Sequence, residues 1–191
     1  WKDPFSSHQY SERQYKYASA LKSGIYTPQL VIDGQTQMVG SEAGEVASAI
    51  SKELKGHPEA RMAIENAEMN NGKINIRFGL TGHTAHSLLN IAFIEKKTVT
   101  AVGAGENNGA TLTEYNVVRD FKIIDSVSQG ENRLSLNFPE SLQPGNRELV
   151  LFLQEQKDNQ IIAVLERVHD AVLGNDFELH LEGPGAVLHA G

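Results

Sequence analysis

Apolar and aromatic residues in the first stretch of the chain recur at helical spacing. Tyr10, Tyr17, Ala18 and Leu21 share one face of the segment Ser6 to Ser23, while Glu12, Arg13, Lys16 and Lys22 lie elsewhere. Ser11 followed three residues later by Gln14 has the spacing of a capping box, Ser6 or Ser7 offers an earlier start, and Gly24 supplies a left-handed stop. Two short runs of β formers follow, Gln29 to Ile32 and Gln35 to Val39, joined by the hairpin dipeptide Asp33-Gly34. Ser41 is placed to cap a second helix whose stripe is Ala43, Val46, Ala47, Ile50 and Leu54, with Gly56 and Pro58 ending it. The order is helix, hairpin, helix.

From about Arg61 the period changes to strict alternation, as in Lys73-Ile74-Asn75-Ile76-Arg77-Phe78, and turn dipeptides such as Asn71-Gly72 recur. Further strands are predicted at Leu88 to Ile94, Val99 to Gly103, Tyr115 to Ile124, Arg133 to Phe138, Glu148 to Gln154 and Gln160 to Glu166, enough for a sandwich or an open barrel. Phe177 to Leu181 alternates too, but Gly183-Pro184-Gly185 is turn or tail chemistry. The expected division is therefore 1–58 for the helical part, 59–168 for an antiparallel β-sandwich and 169–191 for a loosely held tail. The first part poses a physical problem. Two helices on a two-stranded hairpin bury little, and ~60 residues are already short of core. Its sheet requires neighbours, either from a segment outside this chain or from the β part.

Charge and composition narrow the function. With 24 acidic against 17 basic residues and no basic cluster beyond Lys96-Lys97, nothing favours a nucleic-acid surface. No apolar run approaches the ~20 residues that span a bilayer. The cysteine count of zero removes disulfides, thiolate nucleophiles and thiolate metal sites together.

Two separated groups of residues carry a resemblance. Trp1-Lys2-Asp3-Pro4-Phe5-Ser6-Ser7, then Arg13-Gln14, then Tyr26-Thr27-Pro28-Gln29-Leu30-Val31-Ile32-Asp33-Gly34 with Val39-Gly40-Ser41, resemble the second half of the thioredoxin-like domain in a secreted bacterial family of unknown function. The run Gly105-Glu106-Asn107-Asn108-Gly109-Ala110-Thr111-Leu112, continuing to Asn116-Val117-Val118-Arg119, is similar to that family's β-domain signature. The resemblance covers residues 1 to about 165 and does not place the tail. It implies an α+β chain: an incomplete thioredoxin-like domain (helix, β-hairpin, helix) followed by an antiparallel β-sandwich domain. It also implies a periplasmic or secreted location, and an upstream segment holding two strands and a Cys-x-x-Cys motif.

Candidate chemistry is sparse. By the resemblance, Thr27 and Pro28 occupy the place of a cis-proline loop that pairs with an extended substrate, although an X-Pro bond taken alone favours trans, cis being about 5–6%. Trp1 and Asp3, with Pro4 and Phe5, would then lie near the redox end and face substrate; as residues alone they read as packing and a turn cap. His83 and His86 have a spacing that suits a metal, but no third ligand is near in sequence and strand positions three apart face opposite ways, so no metal is assigned. The glycine-rich stretch Gly103 to Gly109 lacks the following helix and the Lys-Ser or Lys-Thr of a phosphate loop, and no cofactor is assigned. Read instead as a long inter-strand loop, it makes Glu106, Asn107 and Asn116 the candidates for a binding or domain contact. No Gly-x-Ser-x-Gly elbow is present and no carboxylate pair is marked out. The expected function is that of a non-catalytic chain from a thioredoxin-like protein whose oxidoreductase activity belongs to the upstream cysteines. The alternative is a protein- or peptide-binding module of the cell envelope. Oligomeric state is left open.

Overall fold

In the computed structural model of the protein, the described residues are 4–105, 107–125, 127–169 and 187–190. Trp1, Asp3 and Glu106 lie outside them, as does most of the expected tail.

Helix α1 spans His8–Ala20. Its cap is Ser7, whose Oγ accepts the Tyr10 N–H at 3.3 Å, rather than Ser11. The stop is also displaced from the expected glycine. Lys22 takes the left-handed conformation (φ 50°), and the Ser23 N–H closes back onto the Ala18 carbonyl at 2.9 Å, satisfying a carbonyl that the helix leaves without a partner. Strands β1 (Gln29–Ile32) and β2 (Thr36–Val39) form the expected hairpin, with Asp33 and Gly34 both at positive φ as a type I′ turn demands. The Thr27–Pro28 bond ahead of β1 is cis, against the trans form the dipeptide alone favours. Helix α2 (Ala43–Glu53) begins at Glu42 without a side-chain cap, because Ser41 is drawn into the preceding turn, its carbonyl accepting the Ala43 N–H at 3.1 Å. None of its residues is buried.

Seven strands build the remainder. β3 (Ala60–Asn70), β4 (Lys73–Gly82) and β7 (Gly130–Asn137) form one antiparallel sheet, and β5 (Ser87–Ala101), β6 (Thr111–Ile124), β8 (Arg147–Glu155) and β9 (Ile161–His169) a second, in the order β6-β5-β8-β9. Two predicted strands, Leu88 to Ile94 and Val99 to Gly103, are one. Glu95-Lys96-Lys97 interrupts the apolar pattern but not the strand, since β8 stops pairing with β5 at Glu95 while β6 follows it to Ala101, and polar residues suit both faces of the projecting part. β10 (Val187–Ala190) adds to the hairpin, giving a third sheet, β10-β1-β2. A neighbour for the hairpin thus comes from this chain's own far end, where the sequence placed only tail.

The principal core lies between the two larger sheets: Ile74, Ile76, Phe78 and Leu80 of β4 face Leu89, Ile91 and Phe93 of β5 and Leu149, Leu151 and Leu153 of β8. A second cluster occupies the opposite face of the four-stranded sheet. It holds Ala92, Ile94, Phe121, Val150, Phe152 and Ile161, with Tyr10 of α1 packed against it. Strand β8 is therefore apolar on both faces, and its run Leu149-Val150-Leu151-Phe152-Leu153 is continuous rather than alternating. Each fully buried side chain of this size contributes roughly 1.5–3 kcal/mol of transfer free energy.

The hairpin tip also meets the β part. The Ile161 N–H donates to the Asp33 carbonyl at 2.9 Å, and a Cβ on Gly34 (φ 73°) would stand 1.8 Å from the Asn159 carbonyl oxygen. Gly72 (φ 77°) sits at an equivalent turn with open space around it. Replacing Gly72 by Ala is expected to cost about 1 kcal/mol for the left-handed backbone alone, and Gly34→Ala at least about 1 kcal/mol more because it also opens the contact with Asn159. Urea unfolding of the two variants checks this, and equal losses would show that the tip is not held.

Candidate functional site

The polar side chains that the fold gathers lie along α1. Consecutive residues Arg13 and Gln14 point to different partners. Arg13 reaches the four-stranded sheet: its guanidinium carbon is 4.7 Å from the Phe121 ring centroid, 5.4 Å from Phe152 and 5.0 Å from Tyr17. Nη2 donates to the Tyr17 hydroxyl at 2.6 Å and to Gln154 Oε1 at 3.2 Å, while Gln154 Nε2 donates to Tyr17 at 2.8 Å. Burial pushes the Arg13 pKa down from its ordinary value, and the Tyr17 phenol offsets part of that. The cation is stabilised by ring faces and neutral acceptors, a geometry suited to a planar guanidinium.

Gln14 turns toward the hairpin. Its Nε2 donates to Gln29 Oε1 at 2.9 Å and to the Tyr26 carbonyl at 3.3 Å; Gln29, 1% exposed, donates in turn to the Gly24 carbonyl at 3.4 Å and to Gln37 Oε1 at 3.4 Å. The Tyr26 hydroxyl donates to the same Gln37 oxygen. This amide network underlies the loop bearing Thr27 and Pro28, both exposed, and the Gly40 N–H donates to the Pro28 carbonyl at 2.9 Å. Ser23 Oγ, beside it in sequence, is buried without a partner. Near the start of α1, the Tyr10 hydroxyl donates to the Val118 carbonyl at 3.3 Å, and its pKa is raised by burial, then by Asp120, with Arg119 acting the other way.

The other candidates are elsewhere. Asn107 lies in a turn closed by backbone bonds, its carbonyl accepting the Ala110 N–H at 3.0 Å, while Gly109 and Val102 pair across the loop at 2.9 Å. Asn116, exposed, adopts φ 56° inside β6 where the β5–β6 arm leaves the sheet, a conformation Asn tolerates better than most residues. That arm exposes Val99 (60%) and Tyr115 (65%), with Lys97 Nζ 5.8 Å from the Tyr115 ring. Phe5, next to the segment outside the described residues, stacks with Arg119 at 5.1 Å. His83 faces Glu155 at 3.9 Å rather than His86, and among the described residues no group of three potential ligands converges. Arg13, Tyr17, Gln29 and Gln154 are not among the site candidates that the sequence offers. The signals that could have found them are the Arg-x-x-x-Tyr spacing on one helix face and the two-faced apolar run of β8.

Carboxamides, phenols and a guanidinium can orient a chain or a ligand by hydrogen bonds and cation–π contact; this set supplies no nucleophile with an adjacent base. Arg13→Leu is expected to cost about 1–3 kcal/mol, because Gln154 and Tyr17 lose a donor in a half-buried site. With Gln154→Leu added, the combined loss should fall short of the sum by about 0.5 kcal/mol or more. Denaturant unfolding of the four proteins measures the coupling, and strict additivity would mean the pair does not act together.

Comparison with known proteins adds a family and no activity. No curated protein matches the chain. Among solved structures, the β-glucosidase from Kluyveromyces marxianus is matched in a selenomethionine-labelled form, at 13% identity and a TM-score of 0.27, and in complex with glucose, at 13% identity and 0.26. Each match covers 59% of this chain and only 14% of the enzyme, and similarity at this level carries no argument about fold or chemistry. The family profile described as protein of unknown function (DUF1223) matches residues 1–154, the α1-hairpin-α2 part together with the two larger sheets as far as β8, and the chain belongs to that family.

Proposed function

We propose that the chain is the non-redox part of a secreted or periplasmic thioredoxin-like protein, presenting the Thr27-Pro28 loop while thiol chemistry resides in a segment outside it. The observation that carries this reading is the state of α2. The helix has the expected apolar stripe, yet none of its residues is buried, and Leu54 just beyond it is 46% exposed. An amphipathic helix gains its stability mainly by covering a core, so a stripe left half in water fits a layer completed by further chain. The order helix, hairpin, helix and the exposed Pro28 at the head of β1 support the same reading. With no cysteine, the chain has no thiolate to attack a disulfide. Assayed on a model disulfide substrate, this chain is expected to give no exchange above background, whereas the complete gene product should carry an upstream Cys-x-x-Cys motif and reduce or oxidise the substrate. A complete product without that motif, or with it and inactive, would end the proposal.

A second reading, a protein- or peptide-binding module, is favoured by the β5–β6 arm. Among the described residues the arm has no third strand beyond Glu95, an arrangement marginal in water, and it displays Val99, Leu112 and Tyr115. Selection from a random peptide display library should enrich binders on the chain and not on a Val99→Asp, Tyr115→Asp variant. Enrichment on both, or on neither, would remove this reading.

A further inference from the structure

The outer face of the three-stranded sheet carries a pairing that sheet physics disfavours. Arg77 of β4 and Arg133 of β7 are register partners, and alternation with Ile76, Phe78 and Leu134 on the core side turns both arginines outward. Cations directly opposite each other stand about 4.5–5.5 Å apart at Cβ and repel. Their ion pairs do not account for the placement. Arg77 Nε is 3.2 Å from Glu65 Oε2, but among the described residues the Arg77 side chain donates no hydrogen bond, and Arg133 donates one, from Nε to Glu131 Oε1 at 2.7 Å. The carboxylates also lie to one side. Glu131 is the register partner of Gly79, and Glu65 Oε1 stands 3.1 Å from where a Gly79 Cβ would be. One register pair along in the other direction are Asn75 and Ser135, both uncharged. There a depression of about 380 Å³ opens, with Asn66, Asn75, Arg77, Arg133 and Ser135, all exposed, as its polar lining. At its β3 margin Glu68, opposite Asn75, is engaged by Asn66 Nδ2 at 3.2 Å, and Lys73 lies beyond Asn75 on the same face of β4.

We infer that this depression binds a dianionic phosphoryl group, free or as a phosphate monoester, between the Arg77 and Arg133 guanidinium groups, with the Asn75 amide and the Ser135 hydroxyl as neutral donors. An anion between the two cations turns their repulsion into a shared attraction, which gives the like-charge pair a purpose. Each guanidinium presents forked N–H groups that match two oxygens, and a tetrahedral phosphoryl group has oxygens enough for both forks and for a neutral donor besides. The surrounding carboxylates set the selectivity. A polyphosphate or nucleic-acid backbone would carry its next phosphate toward Glu65 and Glu131 or toward Glu68, whereas a single terminal group meets only the arginines. The volume far exceeds the roughly 30 Å³ that one water occupies in the liquid, so the depression has room for the group that an ester carries. Neither the hairpin nor an upstream cysteine enters the inference, which is independent of the redox reading.

The test titrates the full chain with inorganic phosphate and with glycerol phosphate at about pH 7.5, where the second phosphate proton is largely lost. Calorimetry should give saturable binding at a Kd of about 1 mM or tighter, and chloride at matched ionic strength should give none. Arg77→Gln and Arg133→Gln should each weaken binding at least about tenfold, while Lys73→Gln, two register pairs away, should change it less than about twofold. Tighter binding of the ester assigns the site to a monoester and equal binding assigns it to free phosphate; either result bears the inference out. Urea unfolding supplies a second readout: phosphate should raise the midpoint of the unaltered chain and leave that of the Arg133→Gln variant where it was. Because Arg133 is 72% exposed, that substitution leaves the core closed. An absence of saturable binding, an equal loss with Lys73→Gln, or an equal midpoint shift in both proteins overturns the inference. No step involves disulfide exchange, so its failure would leave the redox proposal standing, and the reverse.

Discussion

A single guanidinium laid on an aromatic floor joins the helical part of this chain to its sheets. Arg13 spans α1 and the outer face of the four-stranded sheet, bringing Tyr17, Phe121, Phe152 and Gln154 into one cluster. Without a covering element that face would present Ala92, Ile94, Phe121, Val150 and Phe152 to water, so α1 is as much a layer of the β part as a helix of its own. Gln14, the next residue, binds the hairpin instead, and two adjacent side chains thereby couple the Pro28 loop to the β part through one rigid helix. The pair Arg13-Gln14 belongs to the residues that carry the family resemblance, and its two separate tasks give a physical account of why both residue types are needed.

Local physics made much of the fold legible in the sequence. The Asp33-Gly34 and Asn71-Gly72 turns are found where their residue types demand positive φ, and alternation in Lys73 to Phe78 places Ile74, Ile76 and Phe78 in the core. The misplaced features share a cause, namely contacts remote in sequence. Glu95-Lys96-Lys97 looks like a break until β6 is seen to accompany β5 past the end of β8. Gly24 looks like a helix stop, yet the backbone closes two residues earlier at Lys22. The strand at 187–190 has no local signal strong enough to separate it from a tail; its partner lies at the other end of the chain.

The site was less legible than the fold. Thr27 and Pro28 are exposed at the head of β1, and Asn116 lies at positive φ within the arm, but none of them contributes to the Arg13 or Gln29 clusters. Those clusters are built from residues whose types are unremarkable in sequence: four glutamines, two tyrosines and one arginine. What distinguishes them is convergence, and convergence is a property of packing.

The near-contact between Gly34 and Asn159 sets a limit on how the molecule tolerates variation in chain length. A turn whose outer surface is already another residue's carbonyl has no room to grow, so added residues between β1 and β2 would have to lift the hairpin away from β9. The Asn71-Gly72 turn faces open space and carries no such restriction. Insertions, tags or grafted epitopes therefore belong between β3 and β4, and length polymorphism among relatives should concentrate there.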